Sequence, residues 1–359
     1  MQIINKLLRL QNVYIFFISF VLFIIIFFTT FLHANTFKVS NIQISSPFEL
    51  NFNKNRAIDG GFQISFLNLL TMITTSGDKN KIKNITIKEV KGMIDSFTIS
   101  DEKFINNEYF AKLETTFNKK KILNFLEKKN VFPSIPIRNK VLLVPILVDV
   151  ETENIYLFNN NIFYKKWNDE KKNYQLLDYL LPSEDIEDLN KIQEKSDSIE
   201  NYDFLNMIRK YDLNDYIISI IYKDRNEVKI LSRINLNNSL QINNQKYTKV
   251  NLEIEGDFQK ILENLKTTYE DYWKKNNEIN TSINHPLTLS IDSKNYKKIN
   301  KLEEAFSSID LISNFYILKF DSVNTQYKII YNGSPKTFLN DMIKNNFHLI
   351  VKNNVWTIK

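Results

Sequence analysis

The chain has 359 residues, 43% hydrophobic and 13% aromatic, with a formal net charge of +6 from 47 basic and 41 acidic side chains. That length and apolar content suit two or three packed domains and exclude a disordered tail. The absence of cysteine excludes disulfides, thiolate nucleophiles, cysteine-based metal sites and a lipid-bearing cysteine.

The positive balance comes from lysine, because only six arginines occur. Lys, Asn, Ile, Phe and Tyr abound while Gly and Pro are scarce, a bias shared by A/T-rich codons. The basic runs NKKK (118–121), YKKW (164–167) and YWKKNN (272–277) are short and separated by acidic residues. They read as solvated lysines on polar faces, and no nucleic-acid partner is expected.

Lys6 and Arg9 precede an uncharged apolar stretch over residues 13–32. Positive charge on that side sends the following chain across a membrane. Twenty residues suffice to span a bilayer as a retained anchor. The ending LHA before Asn35 resembles a signal-peptide junction, with Ala34 in the last position. Cleavage between Ala34 and Asn35 is the preferred expectation. Either way residues 35–359 are expected outside the cytoplasm, in the periplasm or tethered to the inner membrane through residues 13–32.

Residues 35–130 form the first block, an amino-terminal α+β module. FKVSNIQI alternates as a half-buried strand does. A helix follows with Ile58, Phe62, Phe66, Leu69, Leu70 and Ile73 on one stripe. Gly60-Gly61 inside it lacks the motif of a phosphate loop and reads as close helix packing. DSFTISDEKFINNEYFAKLETTF reads as two strands joined at Asn106-Asn107, and Asn118 caps a short closing helix.

Pro133 and Pro136 mark a linker over 131–140, and 141–283 form a central α/β domain with a mixed sheet. KVLLVPILVDV is nearly continuously apolar, as a strand covered on both faces is. A helix capped at Ser183, a second at DFLNMIRKY, and strands at DYIISIIYK, EVKILSRINL and KYTKVNLEI follow. An amphipathic helix after Gly256 aligns Phe258, Ile261, Leu262, Leu265, Tyr269, Tyr272 and Trp273. Residues 284–359 read as β-α-β-β-α-β, a ferredoxin-like module. Its second helix opens at Ser334-Pro335, and its end turns at Asn353-Asn354.

SFTISDEKFINNEYFAKLETTF, VLLVPI, YLFNNNIFYKKW and the stretch from Gly333 to Trp356 together resemble exported bacterial proteins of domain-of-unknown-function family 2066. The resemblance implies an envelope protein of unassigned function and brings no catalytic residues. The central block also resembles, at the level of fold, the amino-terminal domain of the periplasmic TolB protein. Such domains chiefly bind other proteins, although fold does not fix function.

Motifs for chemistry are sparse. His285 and His348 stand far apart and form no metal-ligand spacing, and the chain carries no GxSxG elbow. No metal or cofactor is expected. The acid clusters SEDIED (183–188) and DEK (101–103) are the carboxylate candidates for glycan hydrolysis. Helix capping and a turn explain them more simply. The aromatics Phe158, Phe163, Tyr164 and Trp167 read first as rings folded onto the central block's first strand, and alternatively as a patch that grips a partner. The expectation is a non-catalytic envelope protein that binds other envelope proteins. The alternatives are a carboxylate-based glycan hydrolase and a lysine-mediated binder of anionic surfaces.

Overall fold

The computed structural model describes residues 37–279, 285–309, 311–352 and 355–358. The anchor-or-signal segment, its Ala34/Asn35 junction and the Asn353-Asn354 turn lie outside the described residues. No described helix is long and apolar enough to cross a membrane.

Alternating apolar residues make β1 (Lys38–Pro47), whose buried side chains face α1 (Lys54–Ile73). Helix α1 starts because the Asn53 side chain accepts the Arg56 N–H, satisfying one of the open amides of the first turn. Gly61 lies where the helix meets the sheet: a Cβ there would stand 2.7 Å from Ile44 and 3.0 Å from Leu113. At Gly60 nothing lies within 4 Å, so only the second glycine serves the expected close approach.

A short helix, α2 (Ile87–Gly92), was not foreseen, although Thr86 and Glu89 form a complete capping box before it. Strands β2 (Ile94–Ile105) and β3 (Glu108–Phe117) follow and turn at Asn106-Asn107, with φ of 51° and 59°. Two consecutive left-handed residues give the twist that a tight hairpin needs. Helix α3 (Lys119–Lys128) closes the module, capped by Asn118 as expected. The sheet order is β1-β3-β2, antiparallel throughout.

The proline linker is laid down by backbone hydrogen bonds. Ser134 N–H donates to the Ile73 carbonyl at the end of α1 (2.7 Å), and Ile279 N–H donates to the Pro133 carbonyl (2.7 Å). The central domain runs β4 (Asn139–Asp149), β5 (Asn154–Tyr156), α4 (Ile162–Lys166), β6 (Leu177–Leu180), α5 (Ile186–Gln193) and α6 (Leu205–Arg209). It continues with β7 (Tyr216–Asp224), β8 (Glu227–Leu236), β9 (Ser239–Thr248) and α7 (Glu255–Asn276). Strand β4 pairs parallel with β6 and β7 and antiparallel with β5, giving the expected mixed sheet.

Alternation explains the continuous apolar run of β4. Val141, Leu143 and Leu147 enter one core, and Leu142, Val144 and Ile146 enter another on the opposite face. The first of these cores also holds Phe62 and Phe66 of α1, Leu126 of α3, and Leu265 and Trp273 of α7. One buried apolar cluster therefore runs through both the amino-terminal and the central modules.

Two sequence expectations are corrected here. The third central strand, β9, begins at Ser239 after the left-handed pair Asn237-Asn238, and the chain has left the sheet by Val250. Helix α5 is capped by Asp185, not Ser183; the Asp185 carboxylate accepts the N–H groups of Glu187 and Asp188.

The carboxy-terminal module runs β10 (His285–Asp292), α8 (Tyr296–Ser308), β11 (Ile312–Phe320), β12 (Asn324–Tyr331), α9 (Pro335–Lys344), β13 (Leu349–Lys352) and β14 (Val355–Ile358). Ser334 caps α9 and Pro335 occupies its first turn. The order is β11-β12-β10-β14-β13, so the ferredoxin-like pattern carries an added terminal hairpin. The strand directly after α9 lies at the edge, while the return arm β14 takes the place beside β10 and runs parallel to it. This module has its own core, built around Leu289, Phe306, Tyr327, Ile329 and Phe338.

Among the described residues, the left-handed turn positions are held by Asn, Asp and a few charged residues, never by glycine.

Candidate functional site

Helix α7 buries one stripe against the central sheet and turns a polar stripe into a cleft of about 270 Å³. The polar stripe carries Gln259, Glu263, Lys266, Glu270, Asp271 and Lys274. One wall is the loop between α4 and β6, with Asp169, Glu170 and Lys172. The opposite wall is the end of α1 and the turn after it, with Thr71, Thr74 and Ser76.

Three ionisable side chains on this stripe are buried: Lys266, Glu270 and Lys274. Their spacing of four residues stacks them along one helix face. The Glu270 carboxylate accepts the N–H groups of Leu176 (2.9 Å) and Leu177 (2.8 Å), which tie β6 to the helix. Burial raises its pKa, opposed by those N–H groups and by Lys274. Burial likewise lowers the pKa of Lys274, whose nearest carboxylate is Asp271 at 3.8 Å. Asp271 also accepts the Ser76 N–H (2.9 Å) and hydroxyl (2.5 Å), joining α7 to the turn after α1.

Lys266 lies over the Trp167 ring, 6.0 Å from its centroid, and donates to the Glu170 carbonyl at 3.3 Å. Its pKa is lowered by burial first and by the Lys172 charge second. Trp167 in turn stacks on Tyr269 at 6.0 Å and meets Tyr179 edge-on at 5.4 Å. The Trp167 indole N–H and the Tyr179 hydroxyl, both buried, find no hydrogen-bond partner among the described residues.

Of the four aromatics singled out in the sequence, three fall into the interior and Tyr164 is half-buried. Phe163 and Trp167 are completely buried, Phe163 against Phe258 at 5.1 Å. Phe158 is nearly so, with Tyr164 edge-on at 5.8 Å, and the Tyr164 hydroxyl donates to the Pro182 carbonyl. The partner patch is corrected at Phe163 and Trp167, whose rings no partner can touch.

The acid candidates are occupied. Asp185 and Asp188 both hold Lys210 at 2.7 Å, and Lys210 keeps the Asp185 carboxyl below its usual range. Asp101 pairs with Lys112 at 2.5 Å and is likewise lowered, and Glu102 pairs with Lys54 at 2.6 Å. A general acid needs a raised pKa, so Asp101 and Asp185 are poorly suited to that role. All the carboxylates that line the cleft come from the central domain, whereas the amino-terminal module contributes hydroxyls and Lys79. His285 and His348 are exposed, and no cluster of metal-ligating side chains occurs among the described residues.

A second feature was missed in the sequence. The loop after β1 and the β2–β3 turn meet where Phe48 N–H donates to the Asn107 carbonyl at 2.7 Å. Phe48, Phe52, Phe104 and Tyr109 cluster there, with Phe48 and Phe104 edge-on at 4.8 Å. Phe48 is 47% exposed, Phe104 54% and Ile105 48%, and Leu50 stands fully in solvent. The available signal is that SPFELNF and KFINNEYF each place aromatic rings in or directly beside a turn, where polar residues are the norm. No family model and no curated protein matches the chain.

Proposed function

We propose that the chain is a non-catalytic protein of the cell envelope, an interaction or assembly module that binds another envelope protein. Its bulk acts on the periplasmic side, either free after cleavage at Ala34 or held through residues 13–32. The resemblances to the exported family of unknown function and to the TolB amino-terminal domain point the same way. One observation carries the reading: the aromatic tip formed by Phe48, Leu50, Phe104 and Ile105 is exposed apolar surface built from two separate segments. Rigid aromatic anchors of this kind dominate protein interfaces. Beside the tip Lys54 is paired with Glu102 and Lys112 with Asp101, so few free cations are left for an anionic lipid surface, and a protein partner suits the tip better.

The test is site-directed photocrosslinking in intact cells from position 50 of the full chain. A single discrete adduct that disappears in Phe104→Asp supports the reading. No adduct, or one indifferent to Phe104→Asp, overturns it. Comparing the mass of the mature protein with that of the full chain decides between release and anchoring.

A further inference from the structure

Lys266 is 7% exposed, and no carboxylate lies within ion-pair distance of it among the described residues. Its ammonium has three donors. One goes to the Glu170 carbonyl, and the Trp167 ring supplies a cation–π contact. Three other lysines of the cleft are matched, Lys172 with Glu263 at 3.0 Å, Lys166 with Glu255, and Lys274 with Asp271, while Lys79 on the facing wall is exposed to solvent. Burying an ammonium without an ion-pair partner is costly; Lys172 adds repulsion to that cost, and Glu170, Asp169 and Glu263 offset part of it from beyond ion-pair distance. A positive charge held in this way at the wall of an open cleft is stabilised by an anion that enters it.

We propose that the cleft along α7 is a binding site for a small monocarboxylate, anchored by the Lys266 ammonium. The volume of about 270 Å³ admits on the order of ten non-hydrogen atoms, at about 30 Å³ for a water-sized group. The ligand is limited to one negative charge because Asp169, Glu170 and Glu263 stand near the ammonium and leave little net positive charge in the cleft to hold more. The hydroxyl oxygens of Thr71 and Ser76 on the facing wall, whose protons go to the Leu67 carbonyl and the Asp271 carboxylate, accept a hydrogen bond from the rest of the molecule. The inference is independent of the aromatic tip, which lies in the amino-terminal module alone.

Calorimetric titration of the full chain tests it with three probes: N-acetylalanine, its neutral counterpart N-acetylalaninamide, and inorganic phosphate. Saturable binding of N-acetylalanine is expected, with the amide at least about tenfold weaker because it lacks the charge-assisted hydrogen bond. Lys266→Met loses the same factor, while Phe104→Asp at the remote tip keeps wild-type affinity. Binding also weakens as pH rises towards the ordinary lysine value of 10.5, because the amine facing Lys172, Asp169, Glu170 and Glu263 gives up its proton early. Absence of carboxylate binding, equal binding of acid and amide, preference for phosphate, or an unaffected Lys266→Met each overturns the proposal. Lys266→Gln serves as a second variant if the methionine form fails to fold.

Discussion

Lys266 and Lys274 make the stability of this protein depend on alkaline pH. Both amines have folded-state pKa values below 10.5, chiefly through burial. The folded state therefore gives up these protons before the unfolded state does, and stability rises with pH between the two values. Glu270 acts in the opposite sense: its raised pKa makes the charged form costly, and stability increases as pH falls through its folded value. Denaturant titrations at neutral pH and near pH 10 check this. Lys266→Met stands about 1 kcal/mol above wild type at neutral pH, and that lead shrinks near pH 10. The two proteins are compared with each other because buried tyrosines with raised pKa values, Tyr179 and Tyr269 among them, lower the stability of both as pH rises through 10. No pattern within α7 marks these residues. Glu263, Lys266, Glu270 and Lys274 form an ordinary polar stripe in the sequence, and the loop that covers it is distant in the chain.

Elements with a long period were legible, and short ones were not. Helices α1 and α7, at 20 and 22 residues, repeat their apolar stripe over several turns, and the β2–β3 hairpin carries its turn signal at Asn106-Asn107. Strands β5 and β6 and helices α2, α4 and α6 have three to six residues each, too few to establish any period. Of these only α6 was foreseen, as part of DFLNMIRKY. The paired glycines of α1 give a sharp element-scale prediction. Gly61→Ala pushes a methyl group into Ile44 and Leu113 and costs about 1–3 kcal/mol by overpacking. Gly60→Ala meets nothing and adds about 0.5–1 kcal/mol of helix stability. Thermal unfolding of the two variants should move in opposite directions.

For the molecule as a whole, the three sheets do not each keep a core to themselves, although the central sheet has a second core on its opposite face. The amino-terminal and central modules share one buried cluster and are joined by the backbone bonds of Ser134 and Ile279, while the carboxy-terminal module has a separate core. Calorimetry should resolve two cooperative transitions, and Gly61→Ala should shift only the one that contains the central domain; three transitions, or one, would contradict this. The turns add a consequence of another kind. Glycine takes none of the left-handed positions among the described residues, and even Arg225 holds a φ of 47°. Arg225→Gly relieves about 1 kcal/mol of backbone strain and gives up only an exposed contact to Glu151. Thus a genome drifting towards A and T can exchange glycine codons for asparagine codons at small energetic cost, and every chain reversal stays where it was.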